Sequence, residues 1–181
     1  MTELLGDYAA FVARAEAGFS AQGISTSELA QCDMLNIECS TSERYKRLKA
    51  ELLESAKMLS EIKHNGRLIS IFEATEPLEA GDWHIPHVEL LAPKPTRENI
   101  DGIDGVFFVT TVRLASFLAK HEGVTFERKG LDNKANPYVE LKGDDWAVKF
   151  HDRHIGAVID IEENFAEPVV EAPNYGGHIT L

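Results

Sequence analysis

Residues 58–74, MLSEIKHNGRLISIFEA, consist of two short apolar-rich runs joined by Asn65-Gly66. A type I′ turn needs positive φ at both central positions, and Asn-Gly is the pair that tolerates this best. Met58 to His64 and Arg67 to Ala74 are therefore expected as the two strands of a hairpin. On the N-terminal side, Met34 to Cys39 alternates as a strand does. Ser40 with Glu43 then predicts a capping box opening a helix that buries Tyr45, Leu48, Leu52 and Ala56. On the C-terminal side, residues 83–91, WHIPHVELL, supply one more strand. The order is strand, helix, strand, strand, strand.

A Pro-, Gly- and Asp-rich link, LAPKPTRENIDGID (91–104), follows, and the same order then recurs with little sequence identity. Gly105 to Thr110 reads as a strand, Thr111 to His121 as a helix closed near Gly123, and Val124 to Arg128 as a strand. Tyr138 to Lys142 and Trp146 to His151 read as a final hairpin. Ahead of both units, Leu4, Leu5, Tyr8, Phe11, Val12, Ala15 and Phe19 form one apolar stripe, giving a helix over 2–22 ended by Gly23. The expected fold class is α+β: two tandem βαβββ modules, about 30–92 and 103–152, forming a concave mixed-sheet cleft, with the N-terminal helix packed outside. A single domain over 1–161 is expected. Residues 162–181, with no clear period and three clusters of Pro or Gly, read as an arm or a partly disordered tail.

The chain has 181 residues, 44% hydrophobic and 27% charged, ordinary proportions for a soluble globular protein. No run of about 18 apolar residues is present, and no basic region leads into an apolar one at the N-terminus. The expectation is a cytoplasmic protein with neither membrane span nor secretory signal. Cys32 and Cys39, without CxxC spacing, read as reduced structural thiols. Eighteen basic against 30 acidic residues give a net charge of −12, which opposes approach to nucleic acid or anionic membrane. A Gly-rich phosphate loop and a nucleophile elbow are both missing, which argues against nucleotide binding and serine hydrolysis.

Each helix must cover the apolar face of its sheet, so alternation sorts the strands. Leu35, Ile37 and Cys39 oppose Met34, Asn36 and Glu38; Val88 and Leu90 oppose His87 and Glu89. In the second module Val139 and Leu141 oppose Tyr138, Glu140 and Lys142, while Trp146, Val148 and Phe150 oppose Ala147, Lys149 and His151. The strand at 105–110 breaks the rule, being as apolar on one face as on the other. Two such sheets facing each other would line a cleft with Asn, Glu, His, Tyr and Lys; otherwise this polar set faces solvent. The remaining histidines, His64, His84, His121, His154 and His178, carry no assigned role.

The layout resembles the vicinal oxygen chelate superfamily of glyoxalase I, extradiol dioxygenases and bleomycin-resistance proteins. More narrowly it resembles the YecM-like branch, through CDMLNIEC (32–39), HNGRLISIFE (64–73), WHIPHVELLAPKP (83–95) and NPYVELKGDDWAVKFH (136–151), in that order. The resemblance implies a divalent metal held by His and Glu from the first and fourth strands of both modules. Carried over, it supplies Glu89 and a closing His151, while the two expected first-strand histidines read Met34 and Gly105. A thioether suits Fe, Mn, Ni or Zn poorly, and glycine supplies no ligand.

Three readings follow. A relocated metal site would use His87, Glu89 and His151, with Glu89 and His151 also catalytic. A metal-free cup would bind an organic ligand through Asn36, Glu38, Arg67, Tyr138, Glu140 and Lys149. A metal-free acid/base enzyme would use a buried His or Glu. The cofactor expectation is accordingly a divalent metal or none, and the partner a small molecule. Because the superfamily often assembles modules across chains, a homodimer belongs among the expected assemblies.

Overall fold

A computed structural model of the chain describes residues 5–64 and 66–163. The expected arm over 162–181 falls, beyond Glu163, outside the described residues. Helix α1 (Tyr8–Ala21) is shorter than the apolar stripe suggested, because Gly6 turns the chain at φ 70° and Asp7 caps the helix, accepting from the Ala10 N–H. It ends at Gln22 and Gly23, the latter at φ 82°.

Strand β1 (Leu29–Glu38) leads into α2 (Ser42–Leu52). The cap of α2 is Thr41, whose side chain accepts from the Arg44 N–H, one residue beyond the Ser40 expected from the sequence. Strands β2 (Ala56–His64), β3 (Arg67–Ala80) and β4 (Trp83–Leu91) follow, with Gly66 at φ 79° in the β2–β3 turn. The second half comprises β5 (Gly102–Thr110), α3 (Leu114–Lys120), β6 (Tyr138–Lys142) and β7 (Ala147–His151). A further helix, α4, spans Ile155–Glu163.

All seven strands form one sheet in the order β2-β3-β4-β1-β5-β7-β6. β1 pairs parallel with β4, and β5 parallel with β7, while β1 and β5 meet antiparallel at the centre. This is the tandem arrangement expected, with one correction. The strand read at 124–128 is a single bridge, Glu127 to Glu140, beyond the edge strand β6, so the second module is one strand short.

One face of the sheet carries Leu35, Ile37, Val88, Leu90, Val106, Phe108, Val148 and Phe150, packed with residues of α1, α2 and α3. Phe19 of α1 stacks edge-on against Phe108 and Phe150, at 5.5 and 5.8 Å between ring centroids. Both cysteines are buried and unpaired, and burial lifts the Cys39 thiol to about 12, as befits inert packing residues. No helix among the described residues is long and apolar enough to cross a membrane.

The opposite face holds a second, smaller core: Met34, Ile71 and Phe107 from the sheet with Ile155, Val158 and Ile159 from α4. This explains the strand that broke the alternation rule. β5 is apolar on both faces because helices cover both, and α4 was not anticipated.

Candidate functional site

The register places polar side chains in rows across the inner face, since residues directly opposite in neighbouring strands share a face. One row runs Ile71, Glu89, Asn36, Gly105. The next runs His87, Met34, Phe107, Lys149, Glu140. Two of the bulges between β1 and β5 adjoin these rows. β1 carries Asp33 as an extra residue between the partners of Phe108 and Phe107, and β5 carries Asp104 between those of Asn36 and Ile37. A bulge breaks the two-residue alternation locally, so a side chain can be re-aimed against the pattern.

Helix α4 divides this face. Beneath its start lies a sealed group built on Asp33, which is 1% exposed. Asp33 Oδ2 accepts from the backbone N–H of Ile155 at 2.8 Å, at the beginning of α4. His87 Nδ1 lies 3.0 Å from the Asp33 carbonyl oxygen and 3.5 Å from Oδ1. His151, fully buried, sets Nδ1 2.9 Å from Asn136 Oδ1 and leaves Nε2 without a hydrogen bond, 3.8 Å from Asp33 Oδ2. Burial drives the His151 pKa down to about 4 against the pull of Asp33 and Asp152, so the ring is neutral at pH 7.

Beside the sealed group opens a cavity of about 140 Å³. Its polar lining includes Asn36, Arg67, Glu89, Lys94, Tyr138 and Lys149, with His64, Asn133 and the His151 partner Asn136; Phe107, Ile71 and Ile155 supply apolar walls. Asn36 is 1% exposed, and neither its Oδ1 nor its Nδ2 has a hydrogen-bond partner. Burial raises the Glu89 pKa, while Lys149 and Arg67 oppose the rise and Asp104 adds to it. Lys149 Nζ lies over the rings of Phe107 and Tyr138, 4.9 and 5.6 Å from their centroids, and 3.8 Å from Asp104. Arg67 reaches Glu38 at 3.3 Å, and Arg97 clamps the same carboxylate at 2.6 and 2.7 Å.

The expected residues thus divide. Asn36, Arg67, Glu89, Tyr138 and Lys149 share the cavity. Glu38 is tied up by two arginines, and Glu140 pairs with Lys142 at 3.0 Å outside the cavity lining. The suggested set of His87, Glu89 and His151 is not gathered: the two imidazoles turn toward Asp33, whereas Glu89 lines the cavity. Among the described residues no three His, Cys, Asp or Glu side chains are grouped to hold a metal ion. With Met34 and Gly105 on the central strands and a lysine over the cavity's aromatic wall, these donors do not fit a divalent cation. No metal-dependent step follows from them.

Sequence reasoning passed over Asp33, Lys94, Arg97 and Asn136. Strand alternation cannot find Asp33, because the bulge alters its direction, and the other three lie outside strands. The one available signal was the doubly apolar β5, which called for a covering element on the inner face.

A mixed sheet with paired βαβ-type halves, outer helices and a lined inner cup is consistent with a vicinal oxygen chelate-like fold. The model of the YecM protein family matches residues 1–162, and the chain belongs to that family. No curated protein sequence matches it significantly. Among solved structures, a structural-genomics structure named Protein EC4020 superposes with a TM-score of 0.70 at 21% identity, covering 84% of this chain and 87% of its own. Hypothetical protein BH1468 from Bacillus halodurans C-125 gives 0.43 at 17% identity, over 67% of this chain and 92% of its own. A Bacillus subtilis subsp. subtilis str. 168 protein, provisionally named a dioxygenase, gives 0.44 at 14%, over 71% and 43%.

Proposed function

We propose that this chain binds a small organic molecule in the cavity between α4 and the open part of the sheet, without a divalent metal at its centre. The observation that carries this reading is Asn36. A buried amide with neither end bonded costs on the order of 1–3 kcal/mol for each group left unsatisfied. Such groups are rare in native proteins and call for a specific partner. Facing a cavity beside Glu89, this amide is where a ligand with donor and acceptor groups would recover that cost. The superfamily-type fold is consistent with small-molecule binding.

The test is elemental analysis of protein purified and then supplied with Mn, Fe, Ni or Zn in turn, with ligand screening by thermal shift on the same samples. Metal well below one equivalent under every condition, with ligand-induced stabilisation lost in Asn36→Leu, is the expected outcome. One tightly held metal per chain, released by Glu89→Gln, would overturn it in favour of a metal-dependent enzyme.

A second reading is supported by Glu89 itself. A carboxyl whose pKa is raised by burial within a cavity is a candidate general acid or base. Under it, turnover of a bound ligand would vanish in Glu89→Gln while binding survived.

A further inference from the structure

The charge of the cavity is opposite to that of the chain. The molecule carries −12 overall. Three cationic side chains nevertheless converge on one small cavity from three separate elements: Arg67 from β3, Lys94 from the segment after β4, and Lys149 from β7. Glu89 is the single carboxyl group among the residues that line it. The layer behind does not restore neutrality, because Glu38 is shared between Arg67 and Arg97, and Asp104 stands 3.8 Å from Lys149. Four cations therefore face two carboxylates and Glu89.

We infer that the cavity is a site for a small organic acid, its carboxylate or equivalent oxyanion held among Lys149, Arg67 and Lys94 with the Asn36 amide as a further donor. This rests on the small-molecule reading above and names the ligand class. Arg67 and Lys149 are both buried, so their attraction is screened less than that of surface charges. Two neighbouring groups respond to the same field: Lys94 and His64 both have lowered pKa values, through burial first and then through repulsion, from Arg67 and Arg97 on Lys94 and from Lys94 and Arg67 on His64.

Size and shape narrow the class. A cavity of about 140 Å³ is close to the roughly 150 Å³ that accommodates benzene in an engineered protein cavity. Phe107, Ile71 and Ile155 offer the apolar surface for such a body. The ligand is accordingly an acid with one compact apolar group, about the size of benzoate. A nucleotide or a phosphorylated sugar would have to extend out of it.

The test uses matched pairs of probes on the full chain: benzoate against benzamide, and butyrate against butyramide, followed by NMR shifts of cavity residues. The acids are expected to perturb Asn36, Tyr138 and Lys149 at concentrations where the amides do not. Their affinity should fall about tenfold in Lys149→Met and several-fold in Lys94→Gln, the size of one charge-assisted contact. Lys94 is only partly buried, so its variant reports on binding even if Lys149→Met misfolds. Added salt should weaken the acids and not the amides.

Equal perturbation by acids and amides, without salt dependence, would overturn the inference and leave the small-molecule reading standing. If neither series perturbs the cavity, the inference and that reading fail together.

Discussion

The sealed and open parts of the inner face share strands β1, β4, β5 and β7 yet have opposite chemistry. Under α4, Asp33 and His151 lie almost without exposure, and His87, partly buried, turns toward the same Asp33. A few residues along the same strands, Asn36, Glu89 and Lys149 line a cavity. Strand register alone would treat the two groups as one polar face. The separation comes from α4, whose Ile155 and Val158 pack on Met34 and Phe107 and divide the cup. Ionisable residues on one sheet face are therefore not one site: a covering helix makes some of them structural and leaves others to meet a ligand.

The strongest way to break this division is Asp33→Ala. It removes the acceptor for the Ile155 N–H and strands a buried donor, so a loss of about 3–4 kcal/mol in urea denaturation is expected. A loss under about 1 kcal/mol would mean that the sealed region is not fastened through this carboxylate.

A similar energy should appear as pH dependence. His151 has a pKa of about 4 in the folded chain and about 6.5 when unfolded. Between those values the unfolded state binds a proton that the folded state refuses. The associated stability is fully present above pH 6.5 and is lost as pH falls toward 4, by about 3 kcal/mol. His151→Gln should flatten the stability profile in that window, and an unchanged slope would remove His151 from the account.

The open region should respond with the opposite sign. Because burial raises the Glu89 pKa, the folded chain keeps this proton longer than the unfolded one does, and ionisation costs stability as pH rises above the unfolded value. Glu89→Gln is expected to raise the melting temperature by about 2–4 °C at pH 7.5, the effect of roughly 1 kcal/mol in a chain of this size. At pH 4 the two proteins should melt together. A destabilising substitution at pH 7.5 would place Glu89 among the structural groups.

Much of the architecture is legible before folding is considered. Asn65-Gly66 announces the β2–β3 hairpin, and the apolar stripe of α1 and the alternation of β1, β4 and β7 assign the outer face correctly. The second module's missing strand is less legible. Val124 to Arg128 has strand-like composition, yet it makes only one bridge, because Lys129–Asp132 turns away as a short 3-10 helix. For the site, strand periodicity found Asn36, Glu89, Tyr138 and Lys149. The family resemblance, with alternation putting His87 on the face of Glu89, also suggested joining His87 and His151 to Glu89, which the covering helix and the bulge at Asp33 do not bring about.

By itself the sequence determined the local elements, the apolar face and the inventory of polar groups on the other face. Those follow from short-range sterics and from periodicities of 2 and 3.6 residues. Only the tertiary structure decided which polar groups stay wet, which lose their charge and which are left without a partner. Each of those outcomes depends on what packs above a side chain, and here that is α4, 122 positions from the Asp33 carboxylate that holds its first turn.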